Sequence, residues 1–374
     1  MRQLVKKILN NKLYSIKKSN YLNLYKRILD NNPALGLKSA REDEWLSKWR
    51  KYDKSLSPLS YRIFSRYIGL DMNIAPPELV YTIVEPILTP LQYLDYYSDK
   101  NSLDKILPSS YTPEVFVRNI NGFFYDGSYN RIDDIITDNF INSIRVDKVI
   151  VKPTLSSGGK GVKIYSRVYD KFIDASGKIL SLSHIRNEYK YNFLISECIE
   201  QSDITSKFNE SSVNTIRIAT YRDRKGVVHP LRALLRIGAK GADVDNIHAG
   251  GVRCGIHEDG TLNKYVCNLL GNKKTEFNGI DFTVGYKIPN YESVREFAAD
   301  VSRHVLHHDL VSLDVVIDKH NMPRLLEINV GGFSGWAFQF TSGTMFGEYT
   351  DEIFEFCNNE RNNLSLHFAL NYNR

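Results

Sequence analysis

Cysteine, tryptophan and methionine are scarce in this chain of 374 residues, which holds four Cys, three Trp and four Met. Cys198, Cys254, Cys267 and Cys357 stand far apart, with no CxxC pair and no metal-ligand spacing. That excludes a disulfide framework and a zinc site, and fits reduced thiols in the cytoplasm. No apolar run approaches the roughly 18 residues of a membrane span. The N-terminus MRQLVKKILNNKLYSIKK has neither an apolar h-region nor a small-residue cleavage site, so no signal peptide is expected. Internal repeats and low-complexity segments are absent too. So are a Ser-His-Asp or Cys-His constellation, a Walker A loop and a Rossmann fingerprint. His304, His307 and His308 in HVLHH lack a third ligand and read as core or solvated histidines.

What is present is the composition of a globular protein, 42% apolar and 25% charged, with a length that suits two or three packed units. Charge is uneven. Residues 1–54 carry 14 Lys/Arg against 5 Asp/Glu, whereas the rest of the chain is slightly acidic. Leu4, Val5, Ile8, Leu9, Leu13 and Ile16 recur at helical spacing, which predicts a basic amphipathic helix. Such a helix either docks on the body or meets a membrane surface as a peripheral contact. Nucleic acid is not expected as a partner, because no base-reading motif accompanies the charge.

Residues 1–70 read as helices, with Ser57-Pro58 as a start and Gly69 as a stop. Proline punctuates a connection between 76 and 90. Strands follow at EVFVRNI, GFFYDG, KVIVKP, GVKIYSRV and FLISECI, and a hairpin at VNTIRIATYRD/VVHPLRALLRIG turns about RKG. Helices are expected at RIDDIITDNFINSI, 291–308 and EYTDEIFEFCNNER. Antiparallel pairs with interspersed helices indicate an α+β fold.

The run SLDVVIDKHNMPRLLEIN (312–329) predicts a hairpin in which Asp318 pairs with Pro323 and Asp314 with Glu327. Asn329 then shares their face. An oxygen-only set of Asp314, Glu327 and Asn329 suits a hard cation such as Mg²⁺; the other reading is a surface hairpin whose acids face water. The second signal is VIVKPTLSSGGKGV (149–162). A strand-end Lys152 ahead of Gly158, Gly159 and Gly161 is built to meet phosphate, although a flexible hairpin tip also accounts for the glycines.

Taken in order, Lys152 with its glycine loop, an apolar strand ending in Glu197, and the Asp314…Glu327-x-Asn329 hairpin resemble the ATP-grasp superfamily over roughly residues 99–340. SSVNTIR (211–217) and DNIHAGGV (245–252) resemble its sugar-transfer-associated branch, related to the glutamate-ligase-like group. The resemblance implies an ATP-grasp fold of two α+β subdomains enclosing an ATP cleft, with an N-terminal helical extension. It divides the chain into a basic helical region (1–75), an N-terminal or linker subdomain (76–145), an ATP-grasp domain (146–357, with flap and hinge at 146–200 and metal-binding part at 201–357) and a tail (358–374). Lys100 and Lys152 would hold the α- and β-phosphates under a flap of Ser156, Ser157, Gly158, Gly159 and Gly161. Glu197, Cys198 and Ile199 would meet adenine, and Asn214, or Thr215 with a register slip of one, would fall at the ribose or metal side. Asp314, Glu327 and Asn329 would carry one or two Mg²⁺.

Arg217 and Arg236 would face the γ-phosphate or an anionic acceptor, and Asn246 and His248 would position the acyl phosphate or the attacking group. The implied activity is ATP-dependent carboxylate–amine ligation through an acyl phosphate, on a sugar or amino-acid carboxylate of cell-surface polysaccharide assembly. A kinase or a non-catalytic nucleotide-binding module is the alternative. Two departures stand out: Ser312 replaces an arginine that some amide ligases carry, and VGGFSGW follows Asn329 where many relatives have a proline turn.

Overall fold

A computed structural model describes residues 2–156, 158–242 and 244–361. Ser157 and most of the expected tail lie outside the described residues. Two seven-stranded antiparallel sheets organise the chain. The first is built from β1 (Val115–Ile120), β2 (Phe123–Asp126), β3 (Arg131–Ile132), β4 (Lys148–Pro153), β5 (Lys163–Val168), β6 (Lys171–Asp174) and β7 (Phe193–Glu197). Their order is β3-β2-β1-β7-β4-β5-β6. The expected boundary at 145/146 falls inside this sheet, because β1 hydrogen-bonds onto β7. Helices Asp134–Ser143 and Leu182–Tyr189 cover it over a core of Val149, Val151, Phe172 and Phe193.

The second sheet holds β8 (Ile216–Arg222), β9 (Val228–Ile237), β10 (Val252–Ile256), β11 (Val266–Cys267) and β12 (Lys273–Lys274). Beyond a small ribbon of β13 (Glu276–Phe277) and β14 (Ile280–Asp281), it gains β15 (Leu310–Ile317) and β16 (Pro323–Asn329). The order is β12-β11-β10-β9-β8-β15-β16. One face, with Ile216, Ile218, Leu235, Leu313 and Val315, packs on the helix Tyr291–His304. Every residue of β15 is buried, so this strand is covered on both faces.

The other face is shared between apolar packing and charge. Ala219, Tyr221, Leu234 and Leu310 pack under the N-terminal helices Arg2–Asn31, Glu42–Trp49 and Leu59–Ile68 and the C-terminal helix Thr350–Glu360. The long first helix docks through Tyr21, Leu22, Tyr25 and Ile28, and through Lys18, whose ammonium lies 2.6 Å from Asp53. Of the expected apolar stripe, Ile8 and Ile16 are exposed, and the side chains of Leu4, Val5, Leu9 and Leu13 lie outside those described. Among the described residues no helix is long and apolar enough to cross a membrane.

The 312–329 hairpin forms with one correction. Asp314 pairs with Glu327 as expected, but Pro323 pairs with Ile317 rather than Asp318. The Asp318 carboxylate instead caps the turn, accepting from the backbone N–H of His320 and Met322. A β-bulge at Leu326 absorbs the extra residue and restores the register before Glu327.

Trp49 is wholly buried, with its ring 4.7 Å edge-on to Phe354 where the N-terminal helices meet the C-terminal one. Trp49→Ala is expected to cost about 3–5 kcal/mol through the cavity it leaves. Thermal unfolding followed by circular dichroism checks this; an unshifted midpoint would mean the ring does not hold the layer.

Candidate active site

Strand register lays a charged row across the second sheet. Arg217 on β8 lies opposite Asp314 on β15, and Asp314 opposite Glu327 on β16. On the other side Arg236 on β9 lies opposite Arg253 on β10. Leu234 pairs with Arg217 and stands two residues before Arg236, so all five ionic side chains project from one face. Arg217 grips Asp314 with a fork, Nε to Oδ1 at 2.8 Å and Nη2 to Oδ2 at 2.7 Å. Arg236 Nη1 donates to the same Oδ2 at 2.6 Å, and its Nη2 lies 3.0 Å from Asp245 Oδ1. Asp245 in turn accepts from the Thr215 hydroxyl and backbone N–H. Burial pushes the Asp314 carboxyl upward, but the two guanidinium charges outweigh it and hold it below the usual carboxylate range.

At the acidic end, Lys100 donates to Glu327 Oε1 at 3.2 Å and to the Ser156 carbonyl at 3.1 Å. It thereby ties the glycine loop to the hairpin. Lys152, at the end of β4, faces the same space. Burial lowers its pKa to about 8, assisted by the Lys100 charge. These groups line a cleft of about 520 Å³ between the sheets. Ile150 and Ile164 from the first sheet, Val162 just before β5 and the bulged Leu326 are among its apolar lining.

Of the residues singled out from sequence, Lys100, Lys152, Ser156, Gly158, Gly159, Glu197, Cys198 and Ile199 line this cleft. Arg217, Arg236, Asn246, His248, Asp314, Glu327 and Asn329 do so as well. Gly158 and Gly159 take φ of +66° and +73°, and their loop rests on the segment 244–248. Asn246 Nδ2 donates to the Gly158 carbonyl at 2.9 Å while its Oδ1 accepts from His248 N–H. The Glu197 carboxylate is already engaged by Arg324 at 3.1 Å and by the Glu114 N–H at 3.2 Å.

Two candidates lie elsewhere. Asn214 is fully buried outside the cleft, its amide donating to Gln201 and to the carbonyls of Thr205 and Asn209. Its neighbour Thr215, the reading with a register slip of one, lines the cleft instead. Gly161 sits behind the loop tip, where its carbonyl accepts from the Tyr189 hydroxyl. Asp245 and Arg253 also line the cleft and were missed. The signal for Arg253 was the short alternation VRCGI ahead of the Asp259-Gly260 turn, which marks a strand.

A family model described as sugar-transfer associated ATP-grasp matches residues 113–352. The chain belongs to this family. It has the ATP-grasp fold, and the helices before residue 113 lie outside the matched segment. No curated protein matches it in sequence. Among solved structures it is similar to the biotin carboxylase domain of Hydrogenobacter thermophilus 2-oxoglutarate carboxylase, at 11% identity and a TM-score of 0.37. That alignment covers 63% of this chain and 40% of the other, so the chain spans well under half of that relative. Similarity extends to D-alanine–D-alanine ligase from Bacillus anthracis, at 13% identity and a TM-score of 0.36, covering 73% and 71% of the two chains. The ATP-grasp ligase PsnB aligns at 12% identity and a TM-score of 0.39 over 86% and 75%.

The family implies Mg²⁺. Among the described residues no group of three or more His, Cys, Asp or Glu is placed to hold a metal ion. The donor set is two facing carboxylates, Asp314 and Glu327, with the Asn329 amide. Three arginine hydrogen bonds on Asp314 and one lysine bond on Glu327 show that both carboxylates draw cations. Hard oxygen donors in small number fit a cation that takes its remaining ligands from phosphate and water.

The lowered Lys152 pKa has a chemical consequence. At pH 8 Lys152 is about half uncharged, against under about 1% for an ordinary lysine. A limiting dose of an amine-acylating reagent at pH 8 is expected to modify Lys152 first, and Mg-ADP to protect it. Peptide mapping by mass spectrometry checks this; labelling spread evenly over surface lysines would contradict the assignment.

Proposed function

We propose that this protein is an ATP-dependent carboxylate–amine ligase acting through an acyl phosphate. The carrying observation is the row Arg236–Arg217–Asp314–Glu327–Lys100, whose Glu327 stands where two pockets meet. The first is the cleft described above. The second, of about 620 Å³, shares Ser156, Glu327, Asn329, Gly331 and Gly332 with it. Its other walls include Lys17 on the first helix, Glu85 and Asp95. Two openings that meet at Glu327 support a reaction in which nucleotide and acid occupy one side and a nucleophile arrives from the other.

In this reading the apolar slot of Ile150, Val162, Ile164 and Leu326 takes adenine. Lys152 and Lys100 neutralise the phosphates, and the loop Ser156–Gly159 closes over them with its backbone N–H groups available to oxygen. Asp314, Glu327 and Asn329 would hold Mg²⁺, which would supply positive charge to offset the negative charge of the phosphates. A carboxylate oxygen of the acid attacks the γ-phosphorus, the bond to the β-phosphate bridging oxygen breaks, and ADP leaves. Arg217 and Arg236 stabilise charge on the transferred group by their positive charge and through the N–H groups that Asp314 and Asp245 leave free. The amine nitrogen then attacks the acyl carbon, phosphate departs, and the nitrogen loses a proton. Little covalent work falls to the side chains, so most of the rate comes from alignment and charge. The description of the family as sugar-transfer associated supports an acid borne by a sugar of a cell-surface polysaccharide.

The test is ADP release from ATP and Mg²⁺ over a panel of uronic acids crossed with amino acids. Turnover is expected only when both an acid and an amine are present, and Glu327→Gln is expected to lower it by at least about a hundredfold. A stable phosphorylated product formed without amine would replace ligation with phosphotransfer. No turnover with any pair, while ATP still binds, would remove the ligase reading for this substrate class.

A further inference from the structure

Lys100 joins the glycine loop to Glu327, yet it lies before the segment 113–352 that the family model matches. It stands between the short helices Leu94–Ser98 and Leu103–Ile106, outside both sheets. A lysine head on a flexible four-carbon stem is placed only as well as its backbone is held. The Lys100 N–H donates to the Thr154 carbonyl at 3.2 Å, just past the end of β4. The next residue, Asn101, is buried and held at each of its backbone groups. Its N–H donates to Asp99 Oδ1 at 3.0 Å, and its carbonyl accepts from Arg118 Nη1 at 3.0 Å and from the Tyr129 hydroxyl at 2.6 Å.

Arg118 is the centre of this knot. It lies on β1 with no exposed surface. Its Nη2 pairs with the Asp104 carboxylate and donates to the Gly127 carbonyl at 3.3 Å. The Tyr129 ring lies over it, 4.1 Å from ring centre to guanidinium carbon, and the Tyr129 hydroxyl also stands 2.5 Å from Asp104 Oδ1. Apolar side chains of similar volume often replace a buried ion pair without loss of stability. Here the guanidinium even keeps its Nε buried without a partner, which is destabilising. Apolar residues would not supply the two donors that fix the Asn101 carbonyl. Position, rather than stability, accounts for the arrangement.

We infer that Arg118, Asp104 and Tyr129 are positioning residues for Lys100. They hold its backbone so that the ammonium stands beside the Ser156 carbonyl and Glu327, where a phosphate oxygen would meet it. None of the three lines the nucleotide cleft, so they act through Lys100 and not on the ligand. The knot makes Lys100 part of the first sheet while its ammonium reaches the hairpin of the second. The inference rests on the nucleotide reading given above.

The experiment is a double-mutant cycle on the intact chain, read as Mg-ADP affinity by calorimetry. Asp104→Asn and Tyr129→Phe each loosen the knot while keeping the shape of the side chain. Each is expected to weaken Mg-ADP by about three- to tenfold, the worth of one buried hydrogen bond. Lys100→Met is expected to weaken it by about ten- to a hundredfold, the worth of a charge-assisted bond. In the Lys100→Met background either knot variant is expected to add less than about twofold, because no ammonium is left to place. A merely structural role would instead add its full loss to that of Lys100→Met. Should Asp104→Asn not fold, Tyr129→Phe, which loses a single oxygen, carries the cycle.

Unchanged Mg-ADP affinity in the knot variants overturns the inference. So does a double variant that is weaker than Lys100→Met by the full factor of the single change. Lys100→Met that binds Mg-ADP as the native protein does overturns it too, and leaves the nucleotide reading in place. A native protein that fails to bind Mg-ADP at all sinks the nucleotide reading first, and this inference with it.

Discussion

The carboxylate of Asp314 between Arg217 and Arg236 is the contact on which the rest of the site depends. All three side chains are largely buried in the cleft wall, where an unpaired charge is expensive and a forked pair is favourable. Taking away one partner of such a pair typically costs about 3–5 kcal/mol, because the other charge is left stranded. Their union is therefore a condition for β8, β9 and β15 to lie side by side with polar groups on this face. It also sets the electrostatics of everything adjacent. Asp314 stays ionised, the arginine forks are held planar toward the cleft, and Asp245 can be buried because Arg236 spans both acids.

Such a row tolerates no register error. Slipping a strand by one residue would send Asp314 into the apolar face now filled by Leu313 and Val315, and bring those side chains into the cleft. β16 meets this constraint in an indirect way. Its turn closes one residue earlier than simple pairing allows, because Asp318 caps the loop, and the bulge at Leu326 makes up the difference. The irregularity leaves both Leu326 and Glu327 lining the cleft. A regular strand would have placed only one of these neighbours there, so the apolar part of the cleft and its acidic end share one backbone defect.

How much of this was legible in the sequence follows from which interactions are local. The Asp314–Glu327 pairing, the Lys152 strand with its glycine loop and the β8–β9 hairpin all rest on alternation and turn chemistry within about 20 residues. They were readable. Asn214 was misplaced because nothing local tells an asparagine that caps a buried loop from one that faces a ligand. Its three hydrogen-bond acceptors, on Gln201, Thr205 and Asn209, lie in one nearby irregular stretch that has no alternation to show which way the side chain faces. Asp245 and Arg253 were missed for the opposite reason. Each looks like an ordinary surface charge until the sheet places β10 beside β9 and sets Arg253 against Arg236.

The N-terminal helices belong to the same logic, although the family match begins after them. An antiparallel sheet with one face on the helix Tyr291–His304 would otherwise expose its second face along its whole length. Instead Tyr221, Ala219 and Leu310 are sealed beneath Tyr25, Trp49 and Phe354, and the charged row remains open only beyond Leu234, which belongs to both environments. The cover also reaches the chemistry directly. Glu85 Oε1 accepts from the Phe333 N–H at 2.6 Å, and Leu94 packs so closely on Gly331 that a Cβ there would lie 2.4 Å from its methyl. The turn after Asn329 is thus clamped by helices that a search for nucleotide motifs passes over. Because Gly331 and Gly332 border both pockets, whatever fixes that turn also fixes the aperture between them. The helical layer is therefore a wall of the site, and its packing sets how the two compartments face each other.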